Sequence, residues 1–233
     1  MVLLILGDVY MKKKFLLSGV IAVLFSGIGL FAGEVSSLMP TKEYVSISYQ
    51  HGFDCENVSE TKTDIMSGFV RFGSVSFWND SFIGLGANIA LGGPYRLRTT
   101  DKQTGVSGVI TSKDFVAAFS ARANVGCAFD IPINDNFNLF TYVGPCYDMI
   151  VYGVNGVVID DIIFGLGGTT CCVVSPKNSV NFVFGLDYSF EFLQLGYVEM
   201  GNQRYQASAS TMFYGIKPFI GVCFKMDKLY RPD

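Results

Sequence analysis

Charge is scarce in this chain. Asp, Glu, Lys and Arg make up 16% of its 233 residues, and the net charge is −3, where an average globular chain carries about 25% charged residues. There is therefore no basic field for nucleic acid, and too few polar side chains to coat an ordinary water-facing surface. Histidine occurs once, as His51 on the apolar phase of the first strand, and tryptophan once, as Trp78. With a lone histidine and no histidine or cysteine cluster, neither a serine-histidine-acid triad nor a metal site can be assembled. After Gly33 no stretch shows a sustained 3.6-residue apolar rhythm, which argues against amphipathic helices. There is no repeat of solenoid period and no low-complexity segment. "GLGANIALGG" at 84–93 lacks the Lys-Ser/Thr ending of a phosphate loop and leads into no helical pattern. These absences leave no catalytic residue, no metal ligand set and no cofactor to name, so the expectation is a protein that is not an enzyme.

What is abundant is apolar and small. Hydrophobic residues reach 50%, with 26 Gly, 21 Phe and 12 Tyr. "MKKKFLLSGVIAVLFSGIGLFAG", from Met11 to Gly33, places three lysines before an apolar run and ends in small residues, the order of a secretory signal peptide. The competing reading is a transmembrane helix. The run is near the lower length limit for spanning, and no basic stop-transfer cluster follows it. The expectation is a signal peptide over 1–33, with translation starting at Met11, and a single exported domain over 34–233. Six cysteines remain: Cys55, Cys127, Cys146, Cys171, Cys172 and Cys223. Export would permit disulfides, but the spacing fits no zinc site and the adjacent pair is poorly placed to bond to itself. They read as buried small apolar residues.

Period-2 alternation recurs along the mature chain. It is clearest in "NFVFGLDYSFEF" at 181–192, where Phe182, Phe184, Leu186, Tyr188, Phe190 and Phe192 share one face and Asn181, Gly185, Asp187, Ser189 and Glu191 the other. Seven further segments, beginning at "EYVSISYQ" and ending at "TMFYGIKPFIGVCF", make eight strands. Short connections fall near 79–80, 130–136 and 175–178, and longer ones at 54–64, 92–112, 152–160 and 197–207. Short turns at one end and long loops at the other describe an up-and-down meander, with both termini at the short-turn end. Pro145 and Pro218 each delete a ladder donor inside a strand, which predicts a bulge, a rim or a seam at each.

The facing follows from composition. Turning the apolar face inward would demand a charged surface that this chain cannot supply, and the Gly-rich face would fill a core poorly. The opposite arrangement sends apolar residues to lipid and polar ones into a narrow lumen, and closure satisfies the backbone that lipid cannot. The expected fold is an all-β, eight-stranded antiparallel up-and-down transmembrane β-barrel. Its lumen receives Arg71, Arg122, Asp148, Asp187, Glu191 and Lys217 as a salt-bridged plug, with a proton or ion path as the functional alternative. Trp78, Phe129, Phe137 and Phe224 fall at short-turn strand ends, where an interfacial girdle belongs. "GVNGVVIDDIIFGLGG" at 153–168 is unusually apolar for a loop. One reading is that the strands run on to a tight turn at Asn155-Gly156. The other is a hydrophobic mouth formed by Val154, Val157, Val158, Ile159, Ile162 and Ile163.

Taken together, the signal peptide, the hairpin alternation over 40–226 and a last strand ending in an aromatic, Tyr214-Ile216-Ile220-Val222-Phe224, resemble the small outer-membrane barrels of the OmpW, OmpX and OmpA type. The chain departs from them by continuing "KMDKLYRPD" after Phe224 and by its cysteines, departures that a spirochaete-type OmpW-like protein would accommodate. An OmpW-like resemblance implies an outer-membrane channel or uptake protein for small hydrophobic solutes. An OmpX-like one implies an adhesin or envelope interaction protein that meets host or envelope proteins through its loops. A soluble exported ligand-binding barrel is the remaining alternative. The expected partners are outer-membrane lipid and one of these, not nucleic acid.

Overall fold

The structure is a computed structural model and describes residues 40–78, 81–174, 180–201, 203–207 and 212–226. The signal peptide expected over 1–33 lies outside these residues, as do the expected turns at 79–80 and 175–178 and the end of the C-terminal extension. The elements in chain order are β1 (Lys42–Asn57), β2 (Thr61–Phe77), β3 (Ile83–Asp101), β4 (Ser107–Thr111), β5 (Phe115–Asn134), β6 (Phe137–Val154), β7 (Val157–Val174), β8 (Val180–Met200), β9 (Gln203–Ala207) and β10 (Met212–Lys225). β1, β2, β3, β5, β6, β7 and β8 pair antiparallel in that order, and β10 pairs with both β8 and β1, closing a ring of eight. The expected eight-stranded up-and-down barrel is the fold observed. The two additional strands, β4 and β9, lengthen the β3 and β8 hairpins.

The long loops expected at 54–64, 92–112, 152–160 and 197–207 are mostly strand. The alternation continues past the points where Gly, Pro and acidic residues signalled a break, because these hairpins keep their ladder beyond the barrel. Asn155 (φ 51°) and Gly156 (φ 78°) form a two-residue turn with both central residues in the left-handed region, the geometry that matches strand twist. Between β3 and β4, Asp101 Oδ1 accepts from the amides of Gln103 (2.9 Å) and Thr104 (2.8 Å), and Gly105 takes φ 72°.

The outward phase is apolar around the ring. It carries Ile47 and Phe53 on β1, Val70 and Phe72 on β2, Leu85 and Leu91 on β3, and Phe182 to Phe192 at alternate positions on β8, all exposed. Phe129, Phe137 and Phe224 face outward near the short turns. The outward apolar run ends near Phe53, Met66, Leu91, Leu195 and Met212, and on the β1–β3 side Asn57, Lys62, Asp64, Arg96 and Arg98 stand at or beyond its end.

The inward phase is not simply polar, as composition suggested. It holds two apolar layers. One, near the short turns, includes Tyr44, Phe77, Phe140, Tyr142, Cys171, Phe219 and Cys223; the other, near the hairpins, comprises Ile65, Leu97, Ile150, Ile163 and Phe213. Inward glycines make room for these rings: a Cβ on Gly86 would lie 2.4 Å from the Tyr142 ring, and one on Gly185 would lie 2.7 Å from that of Phe219. The cysteines are all free thiols; four are buried, Cys172 is half-buried and Cys127 is exposed, so the expectation of uniformly buried thiols fails at the last of these.

Neither proline sits at a bulge or a rim. Both face outward at mid-strand. The β1–β10 ladder pairs Phe53 with Ile216 and resumes at Gln50 with Phe219, leaving His51 and Gly52 unpaired opposite Pro218 and Lys217. The β5–β6 ladder likewise skips Val125 and Gly126 opposite Pro145 and Gly144 without a register shift. In each case the proline remains paired on its other side, with Leu186 for Pro218 and Leu166 for Pro145, so the missing donor is absorbed by one short gap in one ladder. Gly126 and Gly144 allow the strands to approach across theirs: a Cβ on Gly144 would lie 2.0 Å from the Val125 carbonyl oxygen. Gly144→Ala is therefore expected to impair assembly strongly. Gly108→Ala, with nothing within 4 Å of the new Cβ, should assemble as wild type. Refolding yield in lipid vesicles, read by heat-modifiable gel migration, distinguishes the two, and equal yields would show that the strands part freely there.

Candidate functional site

All six charged residues expected in the lumen are buried there, each at most 8% exposed, together with Asp54. They form two tiers. In the first, the Arg71 guanidinium grips both oxygens of Asp187, Nε to Oδ2 at 2.7 Å and Nη2 to Oδ1 at 3.1 Å, the bidentate geometry that makes such pairs strong. Asp187 also accepts from Gln50 Nε2 (2.5 Å) and Thr169 Oγ1 (2.6 Å). Arg71 Nη2 donates to the Tyr142 hydroxyl at 3.1 Å, which receives a second bond from Asn88 Nδ2 at 2.7 Å. The guanidinium lies 4.0 Å from the Phe219 ring centroid. Residues from β1, β2, β3, β6, β7, β8 and β10 thus meet around one carboxylate.

The second tier lies nearer the hairpins. Arg122 pairs with Asp54 and, at 3.0 Å, with Asp148. Lys217 Nζ reaches Asp54 (3.1 Å), Asp148 (3.5 Å) and Ser189 Oγ (2.6 Å). Arg122 also lies 4.5 Å from the Phe69 ring centroid. Glu191 is 2% exposed, and among the described residues no cation is within ion-pair distance of it. Its hydrogen bond is from the Cys146 thiol, at 3.9 Å. Asp54 was missed in the sequence because it fell inside the expected 54–64 loop, yet it continues the inward phase of Ser48, Gln50 and Gly52. The inward rings of Phe69, Phe140, Tyr142 and Phe219 were missed because attention to the apolar phase hid large residues on the other one.

A cavity of about 20 Å³ lies against Tyr44, Arg71, Phe140, Tyr142, Cys171 and Phe219, room for about one water. The hydrophobic mouth expected from Val154, Val157, Val158, Ile159, Ile162 and Ile163 does not form as a single surface. These residues sit on the paired ends of β6 and β7, and alternation splits them. Val154, Val157, Ile159 and Ile163 follow the inward phase, and Val158 and Ile162 the outward one. Only Ile163 is fully buried, in the apolar layer above the second tier. His51, on the outward face, hydrogen-bonds the Tyr95 hydroxyl at 3.0 Å.

A buried ion pair is costly to break one side at a time, about 3–5 kcal/mol, because the survivor is left uncompensated. Arg71→Met should therefore destabilise the barrel by about that amount, and Arg71→Met combined with Asp187→Leu by clearly less. Urea unfolding midpoints in vesicles measure both; a double variant no better than the single would mean the two do not act as a unit.

Two carboxylates lie beyond the outer end of the apolar belt, Glu56 on β1 and Asp161 on β7. Burial pushes Glu56 up to about 7, with the Asp161 charge adding to the effect. Burial also pushes Asp161 up to about 6, against a hydrogen bond from Gln194 at 3.0 Å. Both values are raised above those of the unfolded chain, so the fold binds these protons more tightly. Their contribution is most favourable below about pH 4 and is lost as pH rises through about 7. Glu56→Gln should therefore raise stability at pH 8 and flatten the decline between pH 5 and 8, which urea midpoints across that range would show.

No family model matches the chain, and no curated protein matches it. Solved structures do. A major outer membrane protein from Thermus thermophilus is 12% identical, with 78% of this chain and 98% of that one covered, at a TM-score of 0.51. The outer membrane protein OprG from Pseudomonas aeruginosa is 11% identical over 80% of this chain and 97% of its own, at 0.50. The outer membrane protein AlkL, determined in DMPC lipid bilayers, is 10% identical over 83% and 93%, at 0.50. The fold is that of the small outer-membrane β-barrels.

Proposed function

We propose that the protein is an integral outer-membrane barrel that handles small apolar solutes at its hairpin end and does not conduct ions through its lumen. The observation that supports this is the order of the layers inside. An ion entering from the hairpin end meets a layer of Ile65, Leu97, Ile150, Ile163 and Phe213, in which Glu56 and Asp161 are the charged groups, before it reaches Asp54 or Arg122. The charges beneath, Glu191 apart, are already committed to one another. A small apolar solute finds a first layer that is mostly apolar over a charged floor. The exposed belt of Phe, Leu, Ile and Val accounts for the membrane, and the resemblance to OmpW-like barrels points to the same solute class. The wild-type protein is expected to give no stepwise current in planar bilayers. Cells expressing it should take up N-phenylnaphthylamine faster than cells without it, and Ile163→Asn, if it still folds, should slow that uptake. Current steps together with unchanged uptake in the variant would reject the proposal.

A second reading has its own support. Among the described residues β4 pairs only with β3 and β9 only with β8, so each leaves one backbone edge open at the hairpin end. Val106, Val109 and Val116 are exposed nearby. An open edge can accept an extended segment of a host or envelope protein as an added strand. A variant with 99–114 replaced by a two-residue turn that retains solute uptake but loses attachment to such proteins would favour this reading.

A further inference from the structure

The outward face of β3 changes chemistry in a fixed order. Leu85, Ala87, Ile89 and Leu91 belong to the apolar belt. Tyr95 follows, the extra residue where the β2–β3 register shifts between Met66 and Ser67. Its ring centroid lies 5.6 Å from that of His51, which in turn sits edge-on to Phe53 at 4.4 Å. An aromatic cluster of this kind suits the boundary between hydrocarbon and headgroup. Directly beyond come Arg96 and Arg98, both exposed. They are on one face, about 6.6 Å apart along the strand at about 3.3 Å per residue.

Neither guanidinium has a carboxylate within ion-pair distance among the described residues. The acids nearby are committed elsewhere. Asp64, opposite Arg98 in the ladder, pairs with Lys62 at 3.0 Å. Asp114 accepts from the Thr111 amide at 2.8 Å and the Thr111 hydroxyl at 2.9 Å. On the other side of the barrel the outward arginine of the hairpin region, Arg204, is instead engaged with Glu199 at 3.4 Å and Asp160 at 3.9 Å. Among the described residues, the free guanidinium groups are thus on the β2–β4 side, one step above the aromatic boundary.

We propose that Arg96 and Arg98, with Tyr95 beneath them, form a binding site for the phosphate of a lipid headgroup in the outer leaflet. The acyl chains of the same lipid would lie along the Leu85–Leu91 face, so one molecule would satisfy both surfaces. The planar forked donors of arginine match a phosphate's oxygens, and the adjoining belt selects a lipid over a free anion.

The full-length barrel, folded in phosphatidylcholine vesicles with and without lipid A, is extracted gently and examined by native mass spectrometry. Wild type is expected to retain lipid A. The double variant R96Q/R98Q, with folding verified by heat-modifiable migration, should retain it roughly thirtyfold less well. That is the loss of two surface cations at about 1 kcal/mol each. Retention by wild type should fall as salt is raised, a measurement that does not depend on the variant. Equal retention by variant and wild type, or retention indifferent to salt, overturns the proposal. Displacement of lipid A by millimolar inorganic phosphate overturns its lipid component and leaves a free-phosphate site.

Discussion

An eight-stranded ring encloses room for little more than one layer of side chains at each height, and the rest of this structure follows from filling that space. Several of the large inward rings fit because a glycine stands beside them. Gly86 yields to Tyr142 and Gly185 to Phe219. The abundance of both glycine and aromatic residues is therefore one property rather than two. Close packing leaves a cavity of about 20 Å³ near Tyr142 and Phe219, and the arginine heads lie against ring faces.

Inside so narrow a space, charge is tolerated only as a network. Asp187 collects donors from three residues and Asp54 from two cations, which offsets the loss of water that burial imposes. Glu191 is the exception, taking its hydrogen bond from a thiol and having no cation within ion-pair distance among the described residues. Apolar layers lie on either side of these tiers. The same strands that hold the charges continue past the belt as paired hairpins, so the hairpin end is held by backbone ladders as well as by side chains.

The facing of the strands was legible because lipid and lumen impose opposite chemistries on successive residues. "NFVFGLDYSFEF" carries Phe184 outward and Asp187 inward without ambiguity, and the six lumen charges could be named from phase alone. Strand ends were not legible. Gly52-Phe53-Asp54 and Gly92-Gly93-Pro94 read as breaks, yet Gly52 has room only for itself beside Phe69 and Arg122, and the Pro94-Tyr95 step is a register shift within a continuing strand. Propensity marks where a chain can turn, and the ladder on either side decides whether it does. The inward aromatics were hidden for a related reason: a phase rich in glycine looks empty until the partner ring is placed across the barrel. Pro145 and Pro218 were correctly flagged as costly, but the cost falls on short gaps in one ladder rather than on the edge or bulge that a planar sheet would require.

The outward face has an evolutionary consequence. Lipid is fluid and asks only that a side chain be apolar, so Phe, Leu, Ile and Val can replace one another there with little penalty. The inward face, by contrast, requires a change in ring size to be met by a change across the barrel. About half of each strand is then free to drift, and the other half can change only in concert. Barrels of this kind can share one architecture with little residue-by-residue likeness, as the 10–12% identities to the solved outer-membrane proteins illustrate. Common descent in such proteins would be recorded in correlated pairs across the lumen, such as glycine against ring and arginine against carboxylate, rather than in the linear order of letters.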